Sequence, residues 1–288
     1  MTKVLLTGAG GMLGSDLVSV LSASPAFTVT AARRADLDLT DPAAVRSAVP
    51  GHDVVINAAA WTDVDGAETA EDAATALNGT AVSSLASACA SSGARLIHVS
   101  TDYVLAGSAS SPYPESAVPS PVNAYGRSKL VGERAVLSLL PSSGYVVRTA
   151  WLYGEHGNSF PATMLRLAGG RETLDVVDDQ RGQPTWSLAL ARQLVALASA
   201  TSAPAGIYHG TASGETTWFG FARAVFELSG LDPARIRPTT SAAFVRPAPR
   251  PAYSVLGHDR WSSAGLSPLP DWRASLSAAV AAGAVRAR

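Results

Sequence analysis

The chain has 288 residues, with 22 Lys plus Arg against 23 Asp plus Glu, a formal charge of −1, and 47% hydrophobic against 16% charged residues. At about 150 residues per domain this allows two domains, or one with a lid. The charge balance leaves no basic excess for nucleic acid, the apolar content excludes wholesale disorder, and unperiodic Gly and Pro exclude collagen-like or low-complexity readings.

The first apolar run, Val4-Leu5-Leu6, breaks at Thr7-Gly8 and is too short for a signal-peptide core. It reads as a strand. No uncharged apolar stretch reaches the ~18–20 residues of a membrane span. The single cysteine, Cys89, sits in a run of small residues and reads as a buried thiol without a disulfide partner. These features predict a cytoplasmic protein with no nucleic-acid or membrane partner.

Further strands are expected at Thr28–Ala31, Val54–Asn57, Leu96–Ser100 and Tyr145–Arg148, with helices at 12–22, 41–49, 70–92 and 123–140. Strands separated by helical stretches imply right-handed crossovers and a parallel sheet covered on both faces. Val54-Val55-Ile56 is apolar on both sides, as such a strand should be. The fold class is therefore α/β, a Rossmann-type doubly wound parallel sheet over residues 1–150. Residues 151–288 have helical patterns at 159–169, 187–200, 216–229 and 271–283, short strands, and the run Arg246-Pro247-Ala248-Pro249-Arg250-Pro251. They read as a smaller mixed α/β lobe over the carboxyl ends of the strands, with the chain crossing between the two.

Strand 1 runs into Gly8-Ala9-Gly10-Gly11-Met12-Leu13-Gly14 and then a helix. Gly8, Gly11 and Gly14 let backbone approach a pyrophosphate, and helix N-terminal N–H groups hold the anion. The second strand ends in Arg33-Arg34 where an NAD site usually carries an acid. An arginine fork suits a 2′-phosphate, so NADPH is the expected cofactor, with NADH the alternative. Asp38 and Leu39 are placed toward the adenine, and Ala58, Ala59 and Ala60 under the passing cofactor.

Tyr125 and Lys129 stand at i and i+4, one turn apart on one helix face. Lysine is rare here: Lys3 and Lys129 stand against twenty arginines. A phenol near pKa 10 would need about 4 kcal/mol to reach 7, and a desolvated cation plus oxidised nicotinamide could supply that field. The strand end at Thr101 supplies a hydroxyl for a substrate oxygen, with Ser100 the second choice. His98, between Ile97 and Val99, reads as a satisfied core histidine.

Together these features resemble the extended short-chain dehydrogenase/reductases that modify nucleotide sugars. Asn57-Ala58-Ala59-Ala60-Trp61-Thr62-Asp63-Val64-Asp65 with Glu68, Ser100-Thr101-Asp102-Tyr103-Val104, Arg148-Thr149-Ala150-Trp151-Leu152-Tyr153-Gly154, Val177-Asp178-Asp179-Gln180 with Pro184-Thr185, and Arg250-Pro251 are similar to dTDP-4-dehydrorhamnose reductases. The resemblance implies NADPH-dependent reduction of the C4 keto group of a dTDP-4-keto-6-deoxyhexose. It casts Tyr125 as proton donor, Lys129 as its partner on the nicotinamide ribose, and Thr101 as donor to the keto oxygen. Val64, Tyr103 and Trp151 would line the sugar pocket, core packing being the alternative for Trp151. Some members dimerise through glutamates and magnesium; the matching positions hold Asp16 and Leu188, and leucine is no ligand. No metal site is carried over, and a homodimer stays open. Other readings are a 4,6-dehydratase, which would carry glutamate where Tyr103 stands, a 4-epimerase, a ketosugar reductase of an antibiotic pathway, and an NADP-binding regulatory subunit like that of methionine adenosyltransferase.

Overall fold

The alternating apolar runs pair into a single parallel sheet in the computed structural model, which describes residues 1–287. Its strands are β1 (Thr2–Thr7), β2 (Phe27–Ala32), β3 (Val54–Asn57), β4 (Arg95–Thr101), β5 (Gly144–Thr149) and the strand Gly206–His209. From one edge the order is β2, β1, β3, β4, β5 and Gly206–His209, each neighbour parallel. The period of two sorts β1 between two cores. Val4 and Leu6 pack with Leu17 and Leu21 of α1 (Met12–Ser22) and with Leu190 and Leu194 of the helix Ser187–Ser199. Leu5 faces the opposite side with Val55, Leu85, Leu96 and Val146. After β1 the chain turns to β2, then crosses back to β3 on the other side. That reversal opens a crevice at the carboxyl ends of β1 and β3, where ligands of open α/β sheets bind.

Helix ends follow local capping chemistry. α2 (Pro42–Ala48) starts with Asp41 accepting from the Ala43 N–H and Pro42 in its first turn. Residues beyond 150 complete the sheet layer through Ser187–Ser199 and Gly206–His209. The rest form a third core around Phe221, Val225, Phe226, Leu174, Val176 and Trp186. Among the described residues no helix is long and apolar enough to cross a membrane.

The predicted helix over 70–92 is broken in the structure: Glu71–Thr75, a π-helical turn Ala76–Thr80, then Ala81–Ser92. Asn78 in that turn explains the break. Its amide nitrogen donates to the Trp61 carbonyl and to Ser128 Oγ, and its Oδ1 accepts from the Trp61 N–H. The π turn also packs onto the helix Ala124–Leu139 at Gly132, where a Cβ would collide with the Asn78 carbonyl oxygen.

Candidate active site

The glycine loop is built around two contacts that forbid a side chain. Gly8 has φ +75°, and a Cβ there would lie 2.5 Å from the Ala59 nitrogen. A Cβ on Gly14 would collide with the Gly8 carbonyl oxygen, which seats α1 against the loop. Gly10 and Gly11 differ: both are exposed and have room for a Cβ, so their bare backbone is not demanded by packing within the chain. Gly11 caps α1 without a side-chain bond, and the first turn, Met12 onward, carries no acid. Leu13 is buried below the loop. The result is an open, N–H-rich cradle of the kind that fits a pyrophosphate.

Arg33 leans over this loop, its side chain about 3.7 Å from where a Gly10 Cβ would stand. Its backbone N–H donates to Asp36 Oδ2 at 2.9 Å, fixing the turn after β2. A free guanidinium beside the cradle fits a cofactor with a ribose phosphate. Asp38 is less available, because Oδ1 accepts from both the N–H and the hydroxyl of Thr40, which hold its carboxyl below the usual range. The Leu39 side chain is buried with Leu5 and Val45. Ala58, Ala59 and Ala60 follow β3 as half-buried backbone beside Gly8.

Tyr125 lies in the first turn of the helix Ala124–Leu139, whose start is fixed from several directions. Asn123 Oδ1 accepts from the Gly126 N–H, and Glu68 Oε1 accepts from the Ala124 N–H at 2.8 Å. Arg127 forks onto both oxygens of Glu71 at 2.7 Å. Val64, Tyr103 and Tyr125 are brought into one apolar cluster with Trp61, the Tyr103 and Tyr125 rings meeting edge-on at 5.9 Å. Burial raises the Tyr125 phenol above its ordinary pKa; a hydrogen bond with Thr101 opposes this, and the Asp102 charge adds to it. The phenol lowering expected from the Tyr–Lys pair is therefore not supplied by the protein's own groups, because desolvation of the ring outweighs them.

Lys129 is almost fully buried, 1% exposed. Its Nζ donates to the Val99 carbonyl at 2.7 Å and lies 3.4 Å from His98 Nε2. Burial lowers its pKa to about 8 against the opposing pull of Glu133. The Thr101 hydroxyl donates to Asp102 Oδ1 at 3.0 Å and accepts from the Tyr103 N–H at 3.2 Å. Asp102 is itself pushed up to about 6 by burial, with the Ser254 and Thr101 hydroxyls pulling the other way.

Beside Tyr103 lies a cavity of about 520 Å³ whose other lining residues all fall between 160 and 250. Sequence reasoning missed most of its wall: Phe160, Met164 and Trp218 give an apolar side, while Arg171, Arg246 and Arg250 bring three guanidinium groups. Arg250 stands over the Tyr103 ring at 6.0 Å and pairs with Asp65 at 3.0 Å; Arg246 reaches the same carboxylate at 3.6 Å. Besides Tyr103, Val177 and Gln180 stood in a family-like segment and Arg246 and Arg250 in the proline-rich run, and neither signal pointed to a cavity. Trp151 is apart from the Tyr125 cluster. It adopts φ +46°, a left-handed conformation that is costly for a bulky residue. Its ring stacks on Trp218 at 3.7 Å and packs against Gly182, where a Cβ would lie 2.6 Å from it. Trp151 thus backs the cavity wall through Trp218.

Residues 1–285 match the family model described as RmlD substrate binding domain. A dTDP-4-dehydrorhamnose reductase of Streptomyces griseus is 54% identical over 278 residues, covering 95% of this chain and 91% of that protein. A dTDP-4-keto-6-deoxy-D-glucose reductase of Streptomyces niveus is 50% identical over 279 residues, covering 96% and 95%. Among solved structures, dTDP-4-dehydrorhamnose reductase of Bacillus anthracis in complex with NADP superposes with a TM-score of 0.93 at 35% identity, over 98% of this chain and 100% of that one.

Proposed function

The chain belongs to the RmlD substrate binding domain family, whose relatives make it an oxidoreductase acting on a nucleotide-sugar keto group, and from that premise we propose that it reduces C4 of dTDP-6-deoxy-L-lyxo-4-hexulose to give dTDP-L-rhamnose, with NADPH as reductant. The observation that carries the reading is the convergence of Tyr125, Thr101 and buried Lys129 at the carboxyl end of β4, next to an arginine-bearing cavity. NADPH, when bound, supplies the hydride. Gly8, Gly10, Gly11 and Gly14 give it a cradle, and Arg33 takes the ribose phosphate. The cavity takes the nucleotide sugar, its guanidinium groups facing the diphosphate.

Tyr125 gives its proton to the keto oxygen as that oxygen becomes an alkoxide. The Thr101 hydroxyl, which donates to Asp102 Oδ1 in the structure, turns its proton to the same oxygen, so two donors meet the atom where charge accumulates, which stabilises the transition state more than the ground state. Since burial, with the Asp102 charge behind it, raises the phenol, the ring is held protonated until the acceptor arrives, as a proton donor should be. Lys129 holds the nicotinamide ribose. NADPH consumption with dTDP-4-keto-6-deoxyglucose, with and without a 3,5-epimerase, tests the reading together with NMR of the product. Turnover that requires the epimerase and yields the L-rhamno product supports it. Turnover without epimerase would instead give the D-sugar reductase reading, and no NADPH loss with either sugar would overturn both.

A further inference from the structure

A buried chain of polar side chains crosses the carboxyl ends of three strands, and its hydrogen bonds leave His98 a single tautomer. Thr7 Oγ1 donates to Asn57 Oδ1 at 2.7 Å, and the Ala59 backbone N–H donates to the same oxygen at 3.1 Å. A backbone N–H cannot accept, so Oδ1 must face Ala59 and the Asn57 amide cannot be flipped. Its Nδ2 then faces His98 Nδ1 at 3.0 Å and can only donate. His98 Nδ1 is therefore the acceptor, and the ring carries its proton on Nε2. That nitrogen stands 3.4 Å from Lys129 Nζ. Beside Nε2 stands Gly132, where a Cβ would lie 3.4 Å from that nitrogen and which offers no side chain as another partner.

We infer that His98 is a positioning residue for Lys129: locked as the Nε2–H tautomer by Asn57, it aims an N–H at Nζ, and so favours the amine, whose lone pair accepts it, over the ammonium. A protonated Lys129 would set two donors face to face. The other groups around Nζ are accounted for. From β4 the Val99 carbonyl accepts from it. On its own helix Glu133 favours the ammonium, but both carboxylate oxygens of Glu133 are held by Arg148 of β5, at 2.9 and 2.8 Å. The charge on His98 does not compete, since burial and then the nearby lysine hold its pKa well below the usual 6.5. The same chain of bonds ties the amine to Ala59, the residue against which Gly8 of the glycine loop packs. The importance of this device for reduction rests on the reading of Lys129 given above; the device itself is testable without cofactor or substrate.

The test uses the scarcity of lysine. With Lys3 exposed and Lys129 buried as the two lysines of the chain, protein labelled with 13C at lysine Cε gives two titrating signals, Lys3 serving as the reference. His98→Asn keeps an acceptor where Nδ1 stood and deletes the Nε2 donor; His98→Gln keeps a donor at the Nε2 position. The Lys129 signal should titrate well below Lys3 in the wild type, move up by about one pH unit or more in His98→Asn, tenfold in the protonation equilibrium, and stay near its wild-type position in His98→Gln. An unmoved titration in His98→Asn, or an equal rise in both variants, overturns the inference. Imidazole 15N spectra of the wild type give a second reading that needs no variant. His98 should show a protonated Nε2 and a bare Nδ1, the reverse of His209, whose Nδ1 faces the Gly257 carbonyl at 2.8 Å. A proton on His98 Nδ1 refutes it. Failure of the substrate assignment would leave both spectra unchanged, whereas failure of this inference would leave turnover intact.

Discussion

Replacing Lys129 by methionine should remove activity while making the protein more stable. The side chain is 1% exposed, and burial takes its pKa from the usual 10.5 to about 8. At 1.36 kcal/mol per pH unit that fall means the fold disfavours the ammonium by about 3 kcal/mol. Methionine fills a similar volume without the charge. It forfeits the bond to the Val99 carbonyl, worth about 1 kcal/mol net, which leaves a gain of about 2 kcal/mol at pH 7. The sign follows from proton counting: between pH 8 and 10.5 the unfolded chain holds the proton and the folded chain does not, so wild-type stability rises with pH through that window. The gain on mutation is thus complete below pH 8, shrinks through the window, and by pH 10.5 gives way to a loss of up to about 1 kcal/mol, the Val99 bond alone remaining. Urea unfolding of both proteins at pH 7, 9 and 10.5 measures it. A less stable Lys129→Met at pH 7, or a difference that does not shrink toward pH 10.5, would refute the reasoning.

Other positions make equally direct demands. Tyr125→Phe keeps the ring contact with Tyr103 but removes the proton, so kcat should fall by orders of magnitude while the NADPH Kd, read by fluorescence, changes little. Arg33→Ala should weaken NADPH far more than NADH, since the guanidinium over Gly10 meets only the extra phosphate; equal losses in a direct titration would contradict the assignment. Gly14→Ala drives a Cβ into the Gly8 carbonyl, so both the melting temperature and dinucleotide affinity should drop, whereas Gly11→Ala should spare the fold and cost affinity. Asp102 has a folded pKa raised from 3.8 to about 6, so the wild type should lose up to about 3 kcal/mol as pH rises from 4 to 7, and Asp102→Asn should flatten that slope in equilibrium unfolding.

The sequence pattern carried the parallel sheet well because its signals are local. Strands buried on both faces announce themselves as runs such as Val54-Val55-Ile56, and α1, α2 and the Tyr125 helix are bounded by glycine, Asp41-Pro42 and Asn123. The π turn at Ala76–Thr80 was not legible, because it depends on Asn78 reaching Trp61 and Ser128, a bond set by tertiary contact. The same holds for the cavity wall. Phe160 and Trp218 look like helix-starting aromatics in a string of letters, and only folding brings them opposite Arg250. Tyr125 and Lys129 were visible as a spaced pair, yet the electrostatics were not. Spacing suggests a cation that acidifies a phenol, whereas burial in the folded chain raises the phenol and lowers the amine. His98 read correctly as a satisfied core residue, but its partners, Asn57 and Lys129, lie 41 and 31 residues away in the chain.

The central step is hydride delivery to a carbonyl held against Tyr125. Single-turnover reduction of dTDP-6-deoxy-L-lyxo-4-hexulose with NADPH deuterated at the transferring position of C4 tests that most directly. Deuterium should appear at C4 of the product hexose in the wild type and be lost from the product pool in Tyr125→Phe over the same interval. Unlabelled product, label at another carbon, or equal transfer by Tyr125→Phe would contradict it.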